Sequence, residues 1–168
     1  MKKIKFLIPI LLLFLLILPF LFQFILSKKH TDFIAEHFGF RKNEFTIVEE
    51  SDTHSGLHGD GSYSLILDCS TNKEKALETI KDWKELPLSE NLQLLMYGGE
   101  RNDAYNCYNL AEEAKIPELE NGYYYFYDRN SYSTDSTDDS NIFRNSFIFS
   151  ISLYDTDTDI MYFFEYDT

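Results

Sequence analysis

Residues 155–159 carry the spacing of a calcium-binding loop. They read Asp-Thr-Asp-Thr-Asp, and carboxylates at alternate positions can point at one cation. The pattern then fails, because an EF-hand needs Gly where Ile160 stands and a carboxylate where Tyr166 stands. We therefore predict a hairpin turn here, and we keep a calcium ion shared with the acidic loop 135–139 as the alternative.

Asp135, Asp138 and Asp139 in that loop suggest a second chemistry, the general acid and base of a cell-surface hydrolase. Such a pair works only when burial and separation move the pKa values of its two carboxyl groups apart. The surrounding stretch 128–141 is polar apart from Tyr132, so it provides no apolar pocket for either group. We assign no catalytic residue, and we expect 128–141 to be a mobile surface loop.

Two histidines stand among aspartates in the segment 51–61, which reads SDTHSGLHGDG. His54 and His58, with Asp52 and Asp60, are residue types that bind transition metals. Two histidines four residues apart converge on a metal when they lie on a helix, whereas the Ser-Gly-Leu between these two is typical of a loop. We predict a polar surface loop with a metal site as the alternative, and we assign no metal and no cofactor.

Cys69 and Cys107 are the only cysteines in the chain. In an exported domain such a pair can form a disulfide, and both can equally be buried thiols, so the sequence leaves these alternatives open. Neither cysteine has a His and an Asn or Asp that the sequence places beside it. We therefore do not assign a thiol nucleophile.

Tyrosines are concentrated toward the C-terminus, because ten of the twelve lie from Tyr105 onward. Residues 123–127 read YYYFY, so a strand there places aromatic rings on both of its faces. Exposed rows of aromatic rings are good contact surfaces for proteins or sugars. We favour the alternative that helices or loops cover both faces.

The elements that would position these residues begin with two short strands and a helix. The β-rich runs at 45–50 and 63–69 are predicted strands, which we expect to pair across a glycine-containing loop. A capping box at 71–74 predicts the start of a helix, and apolar residues recur at helical spacing from there until Pro87. The apolar face of this helix should lie on the sheet.

The segment 91–97 is ambiguous between strand and helix, and we assign it as a strand because Gly98 and Gly99 suggest a turn into another strand at 105–110. Three further strands, expected to form an antiparallel meander, are predicted at 123–128, 143–154 and 160–166. In the middle one, large apolar residues alternate with serines, which indicates one apolar and one polar face. We therefore predict an α+β domain with a mainly antiparallel sheet covered on one face by one or two helices.

Residues 6–26 form an uncharged apolar run, FLIPILLLFLLILPFLFQFIL, which as a helix spans about 30 Å, the thickness of the hydrocarbon core of a bilayer. Pro9 falls in the first helical turn, and transmembrane helices tolerate the kink that Pro19 would introduce. A cleavable signal peptide is the alternative, but the run exceeds the apolar core of a signal peptide, and 26–30 shows no small-residue cleavage site. We predict an uncleaved single-pass transmembrane helix.

This anchor divides the chain into a short basic tail at 1–5, the anchor at 6–26, a stalk or first helix at 27–41, and an acidic α+β domain at 42–168. Three lysines precede the anchor, an arrangement that favours a cytoplasmic N-terminus. We therefore expect the C-terminal domain to lie outside the cytoplasm, at the membrane surface.

The net charge of −13 arises after the anchor, where 12 of the 15 basic residues face all 28 acidic ones. Such a surface repels phosphate backbones and excludes nucleic-acid binding, whereas metal cations and basic protein surfaces are favoured. Without a catalytic constellation, we predict a membrane-anchored, non-catalytic binding or interaction module with a protein or cell-envelope partner. A cell-surface hydrolase and a calcium-responsive sensor that uses the Asp-rich loops are the alternatives.

Overall fold

The computed structural model of the chain contains two compact units, Met1–Lys42 and Asn43–Thr168. The second unit is described almost throughout, and the first is described in short pieces. The described residues are 14, 17–18, 34–35, 38–41, 44–54, 59–101, 104–106, 108–130 and 132–168, with the backbone alone at 101 and 104–106.

Most of the predicted anchor at 6–26 lies outside the described residues. Phe14, Ile17 and Leu18 within it are helical and exposed. No helix in the described parts of the chain combines the length and the apolar character needed to cross a bilayer. The transmembrane anchor therefore stays a prediction, as does its orientation.

A six-stranded antiparallel sheet forms the centre of Asn43–Thr168, so the fold is α+β, as the sequence predicts. Its strands are β1 (Thr46–Asp52), β2 (Gly61–Asp68), β3 (Lys84–Glu85), β6 (Gly122–Asp128), β7 (Ile148–Asp155) and β8 (Ile160–Asp167). A separate two-stranded hairpin consists of β4 (Gly99–Arg101) and β5 (Ala104–Asn106). The order in the large sheet is β1-β2-β8-β7-β6-β3, which places β8 in its interior.

The strand pairings follow the prediction in two places and add one pairing that it lacked. β1 pairs with β2, and β6, β7 and β8 form the predicted antiparallel meander. β2 also pairs with β8 along its whole length, from Gly61 opposite Asp167 to Asp68 opposite Ile160. This pairing joins the N-terminal hairpin to the meander in one continuous sheet.

The described part of Asn43–Thr168 contains three α-helices beside the sheet: α1 (Lys73–Thr79), α2 (Glu90–Tyr97) and α3 (Leu110–Ala114). The apolar sides of α2 and α3 pack on one face of the sheet, which we name the helix-covered face. Full burial of one such leucine or phenylalanine side chain stabilises the fold by about 1.5–3 kcal/mol. This core includes Leu92, Leu95 and Met96 of α2, Leu110, Ala111 and Ala114 of α3, and Phe126, Phe149, Ile151, Leu153 and Phe164 of the sheet.

The segment 91–97 is the helix α2, so its assignment as a strand was wrong. The Ser89 side chain accepts a hydrogen bond from the backbone N–H of Leu92 and caps the helix, which ends at Gly98. Leu92, Leu95 and Met96 are spaced for one helical face and are buried. The strand assignment relied on Gly98 and Gly99 as a turn between strands, but Gly98 is instead the residue that ends the helix.

The helix α1 also differs from its prediction, because it ends at Thr79 and does not continue to Pro87. The predicted capping box is not formed, since no side chain caps the helix at Asn72. The Asp68 carboxylate instead accepts the N–H of Ser70, where a 3₁₀ turn at Ser70–Asn72 leads into α1. The predicted strand at 105–110 is likewise shorter, because β5 ends at Asn106 and α3 begins at Leu110.

The second face of the sheet, which we name the opposite face, is buried rather than exposed at its centre. Ser150 and Ser152 of β7 lie there and are both 0 % exposed. Their partners across the β7–β8 pairing are Glu165 and Phe163, which are buried too. The polar side of β7 that the sequence indicates is therefore buried inside the domain.

The strand β1 forms one edge of the sheet and carries most of the exposed residues of the sheet. Its pairing with β2 shifts register between Ile47 and Glu49, which leaves Val48 as a bulge that is 61 % exposed. Bulges and charged side chains at an edge discourage pairing with a second sheet. A salt bridge between Glu49 of β1 and Lys115, the residue after α3, joins this edge strand to the helix on the helix-covered face.

Candidate functional site

An open groove lies between α2 and the segment that follows α3. Glu90, Gln93 and Tyr97 form one wall, at positions that share one face of the α2 helix. Leu153 of β7, which is buried, lies at the floor. The volume is about 440 Å³, within the range of ligand-binding clefts. The remaining lining residues are Leu86, Pro87, Leu88, Glu118 and Leu119.

Two hydrogen bonds join the walls of this groove. Gln93 Nε2 donates to Glu118 Oε1 at 2.8 Å, and Tyr97 Oη donates to the backbone carbonyl of Pro117 at 2.9 Å. Burial, followed by the charge of Glu118, raises the pKa of the Tyr97 phenol, so its hydroxyl stays protonated and can donate. These two hydrogen bonds therefore join α2 to the segment that follows α3.

The charge of the groove has one sign. Its nine described lining residues include Glu90 and Glu118 and no Lys, Arg or His, while five of them are leucine or proline. A side chain that combines an apolar stem with a positive charge matches such a surface, because its stem can contact the leucines while its charge faces a glutamate. The groove residues come from separate segments, and the sequence analysis did not single them out.

A second polar assembly lies on the opposite face, where the His54 imidazole stands between two carboxylates. Nδ1 of His54 is 2.7 Å from Asp52 Oδ1, and Nε2 is 3.1 Å from Asp167 Oδ2. Ionised carboxylates only accept hydrogen bonds, so both ring nitrogens must donate, as they do in the imidazolium cation. His54 therefore joins the end of β1 to the end of β8.

This contact depends on Gly61, the first residue of β2. Gly61 stands opposite Asp167, between it and the His54 segment. A Cβ built on Gly61 would lie 2.6 Å from the Cα of His54 and 2.7 Å from its backbone nitrogen. Only the missing side chain lets the His54 backbone approach β2 so closely and lets the imidazole reach past that strand.

Arg129, which follows β6, reaches Asp167 from the other side. Its Nη2 donates to Asp167 Oδ1 at 2.9 Å and to the backbone carbonyl of Phe149 at 3.1 Å. Its Nε lies 3.9 Å from Oε1 of Glu165, a buried carboxylate that also accepts the Ser150 hydroxyl at 3.3 Å. Asp167 thus receives two cationic side chains, which offset the cost of its partial burial.

The residues around His54 set its protonation. Burial alone would lower the pKa of the imidazole, but the hydrogen bonds and charges of Asp52 and Asp167 outweigh burial and raise the pKa above 6.5. Nearby, burial and then the hydrogen bond that Tyr63 donates to Glu50 at 2.7 Å raise the pKa of the Tyr63 phenol. The cluster therefore contains a neutral phenol and a histidine that favours its charged form.

The segment 51–61, for which a metal site was the alternative to a polar surface loop, is only partly described. His54 and Asp52 lie side by side, as the sequence suggests, but their third partner is Asp167 from the far end of the chain. Asp60 is exposed, and His58 lies outside the described residues. Nowhere in the described chain do three His, Cys, Asp or Glu side chains stand together as metal ligands would. Sequence reasoning missed Asp167, Arg129 and Glu165, which are far from His54 in the chain and share no motif with it.

The acidic loop 155–159 is the predicted hairpin turn, between β7 and β8. Asp155 accepts the backbone N–H of Asp157 at 2.9 Å and the hydroxyl of Thr158 at 2.6 Å. Asp159 has φ of 57°, pairs with Lys73 Nζ at 2.9 Å and accepts the Tyr154 hydroxyl at 3.1 Å. These carboxylates stabilise the turn itself.

The acidic loop 135–139 has a similar local structure. Asp135 accepts the backbone N–H and the hydroxyl of Thr137, and Asp138 accepts the same pair of groups of Ser140. The backbone hydrogen bonds, and then the hydroxyl bonds, lower the pKa of Asp135 and Asp138. A hydrolase needs one carboxyl group with a raised pKa as its acid, and these two have the opposite shift.

The remaining candidates from the sequence are cysteine and tyrosine. Cys69 is a free, buried thiol whose pKa burial raises to about 12, and Cys107 lies outside the described residues. Residues 123–127 do not form an exposed aromatic row, because Tyr124 and Phe126 are buried and the other three rings are half-buried. Tyr125, for example, packs against Trp83 with a centroid distance of 5.9 Å.

Comparison with protein-family models, with curated proteins and with solved structures found no match to this chain.

Proposed function

We propose that this chain is a membrane-anchored binding module whose acidic α+β domain, outside the cytoplasm, binds a basic and partly apolar segment of a protein partner. The groove between α2 and the segment after α3 carries this proposal. It combines an apolar floor with two glutamates and has no basic side chain among its described lining residues. Its walls are already joined by hydrogen bonds, so binding requires little ordering of the protein.

The proposed location rests on the sequence of the first 30 residues. An uncharged apolar run at 6–26 has the length of a bilayer core, and three lysines stand before it. Tethering at a membrane surface raises the effective concentration of the domain toward partners on that surface. A modest affinity in the groove then suffices for stable association.

The two alternatives find less support in the acidic loops. Every aspartate at 135, 138, 155 and 159 already accepts hydrogen bonds from nearby side chains or backbone groups. The pKa of Asp135 and of Asp138 is lowered, which suits neither a general acid nor a proton relay at neutral pH. A non-catalytic binding module remains the function that the described geometry favours.

A charge-matched pair of peptides tests the groove directly. A short peptide that alternates Lys and Leu should bind the full chain in detergent, and the same peptide with Glu in place of Lys should not. Binding should weaken with added salt, because charges on the groove rim are open to solvent. Equal binding of the two peptides would contradict the proposal that the groove binds a basic segment.

Matched variants separate the groove from the general acidity of the domain. Glu118→Lys should weaken binding of the Lys/Leu peptide about tenfold, which corresponds to about 1.4 kcal/mol. Glu78→Lys makes the same charge change on the exposed surface of α1, away from the groove, and should leave binding within about twofold. Equal weakening in both variants would show that net charge, and not the groove, attracts the peptide.

The location has its own test. A photo-cross-linking residue at Glu90, on the groove wall, should give a discrete adduct in native membranes, and the same residue at Glu78 should not. Protease added to intact cells should digest the domain while cytoplasmic proteins stay intact. Protection of the domain in intact cells would place it on the other side of the membrane.

A further inference from the structure

We propose that protonated His54 joins the end of β1, and the residues after it, to Asp167 of β8, and that loss of the proton breaks this contact. We name this contact the clasp. The proposal is independent of the groove, because the two sites lie on different faces of the sheet. It starts from the position of the imidazole, with one nitrogen facing the carboxylate of Asp52 and the other facing that of Asp167.

The two contacts of the imidazole differ in the sequence separation of the residues that they join. Asp52 is two residues from His54, and its Oδ1 also accepts the backbone N–H of His54 at 3.0 Å, so this contact is local. Asp167 is 113 residues away and lies on β8, beyond β2. Among the described contacts of His54, the one between Nε2 and Asp167 reaches past β2 and joins the end of β1 to β8.

Loss of one proton removes that contact first. A neutral imidazole keeps a single N–H, and its other nitrogen presents a lone pair, which a carboxylate oxygen repels. Nδ1 lies closer to its carboxylate, at 2.7 Å against 3.1 Å for Nε2, and Asp167 also pairs with Arg129, so we expect the remaining proton on Nδ1. The contact to Asp167 is then lost, while Arg129 still neutralises Asp167.

Within the described part of the chain, the charged groups around His54 come from two strands and from the residue after a third. Asp52 comes from β1, Asp167 and Glu165 come from β8, and Arg129 follows β6. Tyr63 on β2 stays neutral and donates to Glu50. Among the groups described around the imidazole, the carboxylates of Asp52 and Asp167 act on it directly and favour its protonated form.

Deprotonation affects the described residues on either side of the β1–β2 connection, 52–54 and 59–62. Thr53 is bound to Ser62 through its backbone N–H at 2.8 Å, and its hydroxyl oxygen accepts the N–H of Ser62 at 2.8 Å. These bonds link β1 only to β2, so without the histidine contact residues 52–54 are no longer fastened to β8. We expect residues 52–54 and 59–62 to open more often above the pKa of His54, while β7 is unaffected.

Two measurements on the full chain in detergent test the clasp. Proton NMR of labelled histidine should give a pKa for His54 above 6.5, and Asp167→Asn should lower that value. Hydrogen exchange, corrected for the intrinsic effect of pH, should show protection of 52–54 and 59–62 falling about two- to tenfold as pH passes the same pKa, which is the effect of one exposed hydrogen bond.

The variants decide between the clasp and an unrelated titration. His54→Gln should remove the pH dependence of protection at 52–54 and 59–62, whereas His58→Gln, four residues along the same segment, should retain it. A pKa for His54 at or below 6.5 would overturn the proposal. An unchanged pH dependence of protection in His54→Gln would overturn it as well, and the wild-type NMR titration remains decisive if that variant fails to fold.

Discussion

The backbone of Gly122 lies against the carbonyl of Tyr154 where β6 begins beside the end of β7. A Cβ built on Gly122 would come within 1.9 Å of that carbonyl oxygen, and the residue has φ of +149°. Both the contact and the backbone angle exclude a side chain. Glycine at position 122 therefore allows the start of β6 to lie this close to the end of β7. The Gly122 carbonyl also accepts the N–H of Leu86 beside β3.

Replacement of Gly122 should destabilise the domain strongly. We expect Gly122→Ala to lower the free energy of unfolding by at least about 3 kcal/mol, because backbone strain adds to disrupted strand pairing. Urea unfolding of the full chain in detergent, followed by the fluorescence of Trp83, measures this, since Trp83 is the single tryptophan and is buried. The matched control is Gly59→Ala, with φ of +75° but open space around it, which should cost about 1–2 kcal/mol. Equal losses in the two variants would contradict the proposed backbone contact.

The stability of the domain should depend on pH through His54. The folded-state pKa is raised above the ordinary 6.5, so its contribution is complete below pH 6.5 and is lost as pH rises through the folded value. His54→Gln should remove this contribution, and the stabilities of the two proteins should converge at higher pH. Urea midpoints measured between about pH 5.5 and 8.5 test this. If the stability difference between the wild type and His54→Gln grew as pH rises, the prediction would be wrong.

Calcium should leave the thermal unfolding midpoint unchanged. Asp155 is engaged by Asp157 and Thr158, and Asp159 is engaged by Lys73, so binding a cation would break existing contacts. Differential scanning of the full chain with and without millimolar calcium is the measurement. A midpoint that rises with calcium would restore the sensor hypothesis.

Asp155→Ala should lower the free energy of unfolding by about 1–2 kcal/mol, since two hydrogen bonds are lost.

The Cys69 thiol should react slowly in the folded protein. Burial raises its pKa to about 12, so the thiolate fraction at neutral pH is very small and the sulfur is shielded from reagents. Iodoacetamide labelling followed by peptide mass mapping should modify Cys69 only after unfolding. If Cys69 resists labelling in the unfolded chain until a reductant is added, it is bridged to Cys107, and this result would contradict the free thiol.

The sequence could predict the meander because its signals are local. In β7 the large side chains Phe149, Ile151 and Leu153 alternate with Ser150 and Ser152, and this alternation needs no knowledge of other segments. The same local view could not show that the serine side is buried, because burial depends on partners in β8 and β6. Helix α2 was missed for a related reason, since seven residues fit both periods and only packing selects one.

The candidate sites were less predictable than the fold. His54 and Asp52 are neighbours in sequence and were singled out together, but Asp167 lies 113 residues away from His54. The groove depends on the approach of Glu118 to Gln93, from segments that carry no shared motif. Side chains that meet only through tertiary structure leave no spacing for sequence reasoning to detect.

The position of β8 has a consequence for the order in which the protein is made. It is the last strand along the described chain, yet it lies between β2 and β7, and it meets β2 about a hundred residues after β2 is synthesised. A ribosome therefore completes the β1–β2 hairpin and the β6–β7 hairpin before the strand that joins them exists. Until β8 inserts, each hairpin has an unpaired edge that other chains can pair with. The domain is most exposed to aggregation just before its last strand arrives.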